Sequence, residues 1–298
     1  MRSNSAAARP SARTVRSLPL VSRFPRILLH LAILGIAIVW LVPTVGLLVS
    51  SFRPANLVAT TGWWTAVRPP LDFTLHNYLE VLAANNLAQS FVNSLFVTVP
   101  ATVMPILIAA FAAFAFSWMS FRGRDLLFFV VVGLLVVPLQ MTLIPVLQLF
   151  TSVGLTGTFP AVWLAHTAYG LPFAIYLLRN FFSSLPSETL ESAEMDGASP
   201  LVVFFGLVLP LSVPALAALA IFQFLWVWND LLVALIYLGG EPDVAPLTVT
   251  VSNLVNSLGQ NWQLLTAAAF ISMLLPLLVF FTLQRYFVTG ILAGSVKG

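Results

Sequence analysis

Four of the ten acidic residues in this 298-residue chain lie within nine positions of one another: Glu188, Glu191, Glu194 and Asp196. The three glutamates are spaced by three residues, so a helix would place them along one side. Leu190, Ala193 and Gly197 would form a small-residue stripe beside them. Such a surface suits a groove lined by basic residues and is poorly suited to lipid.

A tight turn is predicted directly after these acids. Gly197 is suited to ending the helix, because glycine readily adopts the left-handed conformation found there. Ser199 is suited to capping the next helix and Pro200 to its first position, where the missing N–H of proline would be unpaired anyway. Pro186 is predicted at the first position of the helix before the turn. Residues 184–210 are therefore predicted to form two short helices at an angle.

The composition of the rest of the chain indicates a membrane protein. Hydrophobic residues make up 59% of the sequence and charged residues 8%, whereas a soluble domain carries about 25% charged residues. So few charges are too few to cover a water-facing surface, which indicates an all-α, polytopic membrane protein. The chain has no cysteine, and its three histidines form no ligand pair at helical spacing. No disulfide and no metal site is predicted.

Crossing a bilayer takes about 20 apolar residues in a helix, and six segments are long enough. They are Ile27–Ser51, Phe91–Met119, Leu126–Phe150, Phe159–Arg179, Leu211–Leu238 and Leu264–Tyr286. The predicted parts of the chain are a disordered basic tail (1–26), a first transmembrane helix (27–51), a loop (52–90), a core of five transmembrane helices (91–286) and a C-terminal tail (287–298).

The basic residues predict the orientation, because they are enriched on the cytoplasmic side of membrane proteins. A cytoplasmic N-terminal tail with its six arginines would be joined on that side by Arg122, Arg124, Arg179, Arg285 and Lys297. Both termini and residues 184–210 are then cytoplasmic, and loops 52–90 and 239–263 lie outside. Since the basic residues act as topology signals, no nucleic-acid partner is predicted. The paired Trp63-Trp64 is expected to anchor at the lipid headgroups.

The sequence contains neither a nucleotide-binding P-loop nor the catalytic motifs of intramembrane enzymes. A P-loop needs G-x4-G-K-[ST], but the only lysine, Lys297, is one residue from the end. Intramembrane enzymes need paired aspartates, a Ser–His pair or a zinc set, and the sequence has no second aspartate in a predicted span, no HExxH and no GxSxG. The chain is predicted not to be an enzyme, and transport would draw energy from another polypeptide or an ion gradient.

One hypothesis for such a membrane protein is an ion-gradient-driven transporter, since such proteins place ionisable residues within the membrane as relays. Asp230 lies in the outer third of the fifth predicted span, beside Trp228 and Asn229, and His166 lies early in the fourth. For Asp230, a hydrogen bond between helices and a pathway or gating role both remain open. A gradient-driven transporter would leave the acidic segment unexplained.

The full spacing of the acidic segment resembles a family motif. Glu191-Ser-Ala193-x3-Gly197-x9-Leu207-x-Leu209-Pro210 resembles the EAA loop of ABC importer permeases, E-A-A-x3-G-x9-I-x-L-P. Ser192 and Leu207 are conservative departures that leave the acid, the turn glycine and the proline in place.

Further landmarks are similar to the carbohydrate permeases of the maltose-transporter branch. They are the C-terminal segment 284–298, Asn77-Tyr78, Asn93-Ser94 and Trp228-Asn-Asp230. Leu247-Thr-Val-Thr and Ser252-Asn-Leu are similar to permeases for α-glucosides or related sugars. The alternating run Phe222, Phe224, Trp226 and Trp228 is consistent either with sugar stacking or with packing against lipid and other helices.

The resemblance implies that the acidic segment is a coupling helix that docks in a cleft of a cytoplasmic ATPase. The implied docking residues are Glu188, Glu191, Ala193, Glu194, Gly197, Ala198, Leu209 and Pro210. Glu191 would pair with a basic residue of the ATPase. At the C-terminus, Gly294, Lys297 and Gly298 would lie near the ATPase pair.

The same resemblance implies a set of partners in a bacterial cytoplasmic (inner) membrane. They are a homologous second permease subunit, two ABC ATPase subunits that carry ATP and Mg, membrane lipid, a carbohydrate substrate and an extracytoplasmic sugar-binding protein that contacts residues 239–263. This chain itself would bind no cofactor.

Overall fold

The computed structural model describes residues 24–83, 86–254 and 261–295, which form helices joined by turns and contain no β-strand. In chain order the α-helices are α1 (Phe24–Ser51), α2 (Ala55–Thr60), α3 (His76–Ala83), α4 (Leu87–Trp118), α5 (Arg124–Gly133), α6 (Leu139–Ser152), α7 (Phe159–Phe182), α8 (Ser187–Met195), α9 (Pro200–Val203), α10 (Leu209–Leu211), α11 (Val213–Trp228), α12 (Leu232–Leu238), α13 (Leu247–Ser252) and α14 (Trp262–Ser295). Short 3₁₀ turns cover Trp63–Val67 and Leu134–Val136, and a π-helical turn covers Phe204–Val208.

The chain divides into a unit ending at Leu47 and a unit beginning at Leu48. Most of the first unit that the structure describes is α1, which is apolar and long enough to cross a membrane. Its side chains from residue 26 to residue 45 are exposed. A helix that is apolar on all sides is suited to lipid and not to water, so α1 is a candidate for the predicted first span.

The second unit is built around four packed helices, α4, α7, α11 and α14. Small residues explain the closest of these contacts. On α4, Ala101, Ala109 and Ala113 are buried, and on α7 Ala161 and Ala165 are buried in the same way. Residues four apart lie on one helix face. Small side chains on that face let two helices pack closely, and this van der Waals contact holds them together where lipid supplies no hydrophobic driving force.

Four predicted spans correspond to long helices. They are α1, α4, α7 and α14, and each is long and apolar enough to cross a membrane. α4 begins at Leu87, inside the predicted loop 52–90, and this loop also contains α2 and α3. α14 continues to Ser295, beyond the predicted end at Tyr286. Most of the tail 1–26 lies outside the described residues.

The third predicted span, Leu126–Phe150, is wrong as one continuous helix. The structure has two helical pieces, Arg124–Val136 and Leu139–Ser152, which meet at 102°. Pro138 lies at the break and Val137 before it is extended, with ψ 116°. Proline has no N–H to donate and disfavours helical geometry in the residue before it, so here it separates two helices instead of kinking one.

The fifth predicted span, Leu211–Leu238, is also interrupted. The helix Pro200–Leu211 meets α11 at 73°. Pro214 explains the bend, because it has no N–H to donate to the carbonyl four residues before it. α11 then ends at Trp228, and α12 begins only at Leu232. Counting each bent pair as one span gives up to six candidate spans among the described residues.

Candidate functional site

The acidic loop, defined here as residues 184–210, begins with α8. Pro186 is the N-cap of this helix in an extended conformation, with ψ 119°, so its predicted first helical position is wrong by one residue. Ser187 takes that position, and Glu188 lies in the first turn. A carboxylate there is favoured by the positive end of the helix dipole.

The turn after α8 has the hydrogen bonds of a Schellman motif. Gly197 has φ +81°, and its N–H donates to the carbonyl of Glu194 at 3.0 Å. The N–H of Ala198 donates to the carbonyl of Ala193, also at 3.0 Å. These two bonds pair carbonyls that the end of the helix would otherwise leave unpaired. The predicted left-handed conformation of Gly197 is confirmed.

Leu190 anchors α8 to the helix bundle. Its side chain is 2% exposed in a cluster with Phe182, Val203 and Phe204. Ala193 is half-buried against the same cluster. The predicted stripe is present at these two residues, but it faces the bundle and not a partner's groove, because burying apolar side chains stabilises the fold.

The exposed side of α8 is acidic. Glu188, Glu191 and Glu194 are exposed, and their carboxylates form no ion pair with any residue that the structure describes. Met195 beside them is 89% exposed. One face of a nine-residue helix is thus fixed to the bundle, and the other presents negative charge with an apolar side chain to an external partner.

The second arm of the acidic loop starts as predicted. Ser199 is the N-cap of α9 and Pro200 its first residue. The π-helical turn and α10 extend this arm to Leu211. Leu209 is half-buried, and Pro210 is exposed. The acidic loop therefore consists of two helical arms joined at Gly197.

Trp228 and Asn229 close the end of α11. Trp228 is 3% exposed, and its indole N–H donates to the carbonyl of Ser272 at 3.0 Å. Its ring stacks on Phe224, with centroids 5.6 Å apart. Asn229 is exposed and donates to the carbonyl of Leu225 at 2.7 Å. Trp228 therefore packs the end of α11 on α14, and Asn229 caps the last turn of α11.

Asp230 caps α12. Its carboxylate oxygens accept hydrogen bonds from the N–H groups of Val233 at 3.3 Å and Ala234 at 3.0 Å. One oxygen also lies 3.6 Å from Nε2 of His166, whose side chain is fully buried. The two backbone bonds cap α12 itself, so the hydrogen bond between helices and the pathway or gating role both stay predictions for Asp230. The sequence did not predict the contact with His166, since the two residues are 64 positions apart.

Asn93 and Ser94 fix the loop between α12 and α13. The Asn93 amide donates to the carbonyls of Asp243 at 2.9 Å and Ala245 at 3.1 Å. The Ser94 hydroxyl accepts from the N–H of Leu247 at 2.7 Å. Two landmarks of the sequence resemblance therefore have a structural role, which is to hold the first part of residues 239–263 against α4.

The predicted C-terminal site lies mostly beyond the described part of the chain. Gly294 is in the last turn of α14, whereas Lys297 and Gly298 are outside the described residues. Within residues 24–83, 86–254 and 261–295, no three His, Asp or Glu side chains are grouped so as to hold a metal ion.

Comparison with known proteins gives the class to which this architecture belongs. Residues 86–292 match the family described as the binding-protein-dependent transport system inner membrane component. The fold is similar to that of a chain in the crystal structure of a bacterial ABC transporter involved in the import of the acidic polysaccharide alginate, with a TM-score of 0.77 and 22% identity, covering 92% of this chain and all of that one.

Two curated relatives are more similar in sequence. The osmoprotective compounds uptake permease protein GgtD of Synechocystis sp. is 61% identical over 90% of this chain and 91% of its own length. The alpha-glucoside transport system permease protein AglG of Rhizobium meliloti is 59% identical over 79% of this chain, and the match spans 63% of that longer protein. The chain belongs to the binding-protein-dependent transport family, and it is a membrane-embedded permease component of an importer.

Gly197→Ala is expected to destabilise the acidic loop by about 1–2 kcal/mol, because an alanine in the left-handed conformation brings its Cβ against the backbone. No other atom lies within 4 Å of the new Cβ, so the effect is conformational. Hydrogen exchange of the α8 amides in the purified protein would measure it.

Gly206→Ala is the matched control. It also adds a Cβ with nothing within 4 Å, but its backbone has no positive φ. Faster exchange in the Gly206 variant than in the Gly197 variant would contradict the assignment.

Asp230→Ala is expected to lower the thermal midpoint of the protein in detergent, since losing a helix cap costs about 0.5–2 kcal/mol. Asp230→Asn keeps one acceptor oxygen for the α12 amides and is expected to keep most of the stability and the transport rate. Normal stability with lost transport in the Asn variant would instead support the pathway or gating role.

Proposed function

We propose that this chain is the permease subunit of an ATP-driven ABC importer that moves a neutral carbohydrate, of the α-glucoside class, across the bacterial inner membrane. The observation that carries the proposal is the acidic loop, in which a short helix is anchored through Leu190 and presents Glu188, Glu191 and Glu194 outward. An exposed row of carboxylates on a rigid support is suited to a partner with a basic groove.

The partner on that surface is proposed to be a cytoplasmic ATPase subunit. The sequence has no P-loop, and its only lysine is Lys297, so ATP and Mg would be bound by the partner and not by this chain. Glu191 would pair with a basic residue of the ATPase, and Met195, 89% exposed, would add apolar contact. Two such ATPases and a homologous second permease would complete the transporter, with the C-terminal residues near the ATPases.

Packing explains how a force on α8 would reach the membrane. Leu190 shares one apolar cluster with Ala113 of α4, Leu178 of α7 and Leu219 of α11. Protein interiors are close-packed and transmit displacement instead of absorbing it. Movement of the acidic loop with its ATPase would therefore move these helices together, as alternating access requires.

The opposite side of the membrane would face a sugar-binding protein. Residues 239–263 are the proposed contact, and the bonds from Asn93 and Ser94 hold their first part in place. In this proposal both termini would lie in the cytoplasm, which the distribution of basic residues supports.

The substrate class is proposed from the relatives. The alpha-glucoside permease shares 59% of aligned residues with this chain. The osmoprotective compounds permease shares 61%. The first name specifies alpha-glucosides, which support the substrate class proposed here, and the second specifies only osmoprotective compounds.

An ion-gradient-driven transporter remains the second candidate, and the buried contact between His166 and Asp230 at 3.6 Å is the observation that favours it. Ionisable residues inside a membrane protein commonly serve as relays. In this chain, however, Asp230 already accepts two backbone hydrogen bonds from α12. A protonophore that abolishes uptake at constant cellular ATP would support this candidate over the first.

Glu191→Arg is the test of the proposed function. The substitution places a cation opposite a basic groove, and a like-charge contact costs several kcal/mol. We therefore expect ATPase co-purification to be lost and uptake to fall at least tenfold. Membrane insertion should be unchanged. Uptake would be measured with radiolabelled maltose, trehalose and sucrose in cells that express the chain with its transporter partners.

Asp72→Arg is the matched control, since Asp72 is also exposed and lies in loop 52–90, which is predicted on the other side of the membrane. It makes the same change of charge and should retain ATPase binding. Normal uptake and ATPase co-purification in the Glu191 variant would contradict the docking assignment.

A further inference from the structure

A cavity of about 310 Å³ lies between α7 and α11, away from the acidic loop. Its lining residues are Tyr169, Gly170, Phe173, Phe222, Gln223 and Trp226. Gly170 is close to the middle of α7 (Phe159–Phe182), which places the cavity near the centre of a predicted membrane span. Transporter sites commonly lie at that depth.

The structure divides the alternating aromatic run of α11 into two sets. Phe224 and Trp228 are 8% and 3% exposed and stack on each other, so they serve helix packing. Phe222 and Trp226 are 46% and 36% exposed and line the cavity, where α7 adds Phe173, 42% exposed. The run therefore consists of one buried pair and one pair that lines the cavity.

The cavity also has a polar floor. Gln223 is 5% exposed, and its side-chain N–H donates to the carbonyl of Ala101 at 3.1 Å. The amide oxygen would lie 2.7 Å from a Cβ placed on Gly170. The glycine therefore leaves the space that this amide occupies. The bond to Ala101 joins α11 to α4, and the same amide lines the cavity.

Two of the lining rings, Trp226 and Tyr169, are held by residues outside the cavity. The ring of His166 contacts the edge of Trp226, with centroids 5.1 Å apart and planes at 87°. On the α7 side, the Tyr169 hydroxyl lies 3.0 Å from that of Thr142 and 2.9 Å from that of Tyr237. Rings that are fixed before a ligand arrives lose little entropy on binding.

The chemistry of the lining selects a class of ligand. None of the six lining residues carries a charge, so the cavity offers no counter-ion for an acidic or basic solute. Aromatic faces beside an uncharged hydrogen-bonding group suit a molecule with apolar C–H faces and hydroxyl edges. A pyranose ring has both.

We infer that this cavity is a sugar-binding subsite, in which Phe222, Trp226 and Phe173 stack against a neutral pyranose and Gln223 bonds its hydroxyl groups. The inference rests on the proposed function, because it assigns the residues through which this subunit would contact a transported carbohydrate. A lipid chain or a side chain of the second permease are the other occupants that the experiment must separate from sugar.

The experiment compares uptake of radiolabelled maltose, trehalose and sucrose by the complete transporter carrying Trp226→Ala, Trp226→Phe or Phe222→Leu. Losing one stacking ring is expected to raise KM for the transported sugar about three- to tenfold, with basal ATPase activity and co-purification of the second permease unchanged. Trp226→Phe, which keeps an aromatic face, should restore most of the affinity. Gln223→Leu should raise KM while keeping the side-chain volume.

Phe129→Ala is the control, since Phe129 is an exposed aromatic residue of α5 (74% exposed) outside the cavity, and its KM should equal that of the unsubstituted protein. An unchanged KM in Trp226→Ala and Phe222→Leu would overturn the subsite. Because ATP-dependent sugar uptake would persist in these variants, the proposed function would be unaffected by that result. Loss of the second permease from the purified complex in the Trp226→Ala variant would overturn the subsite in favour of a side chain of that subunit. Less quenching of total tryptophan fluorescence by brominated lipid in Trp226→Phe than in the unsubstituted protein would overturn it in favour of a lipid chain.

Discussion

Burial of Leu190 at one end of the helix bundle is the interaction on which the acidic loop depends. α8 has nine residues, and isolated helices of this length are unstable in water. Its shape therefore comes from packing, with Leu190 2% exposed among side chains of α7, of α9 and of the π-helical turn. Because that cluster also contains residues of α4 and α11, the segment that is proposed to receive force is built into the helices that would transmit it.

A second constraint is that backbone groups inside an apolar environment need hydrogen-bond partners. Several helices of the bundle are interrupted, and side chains form hydrogen bonds with backbone groups at the helix ends that result. Asp230 accepts from two amides where α12 begins, and Asn93 donates to two carbonyls of the loop before α13. Polar residues in this apolar chain are thus placed where helices stop.

Local sequence predicted the helical class and the acidic turn, since each depends on neighbouring residues. Gly197 ends a helix because of its own backbone freedom, and Ser199-Pro200 restarts one for similarly local reasons. The same approach failed at Pro138 and before α11, where Pro214 follows a bend of 73°. Prolines also lie inside α4 at Pro100 and Pro105, where the helix continues, so local sequence does not distinguish a tolerated proline from one that separates two helices.

Composition and spacing by themselves determined that the chain belongs in a membrane, where its acidic segment lies and how that segment turns. Only the tertiary structure decided that Leu190 and Ala193 face the bundle, that His166 meets Asp230, and that Trp226 lines a cavity while Trp228 is buried. These last outcomes depend on which faces of α7, α11 and α14 pack together. Where almost every residue is apolar, hydrophobic periodicity does not mark the inner face of a helix, because lipid and protein interior are equally favourable surroundings for it.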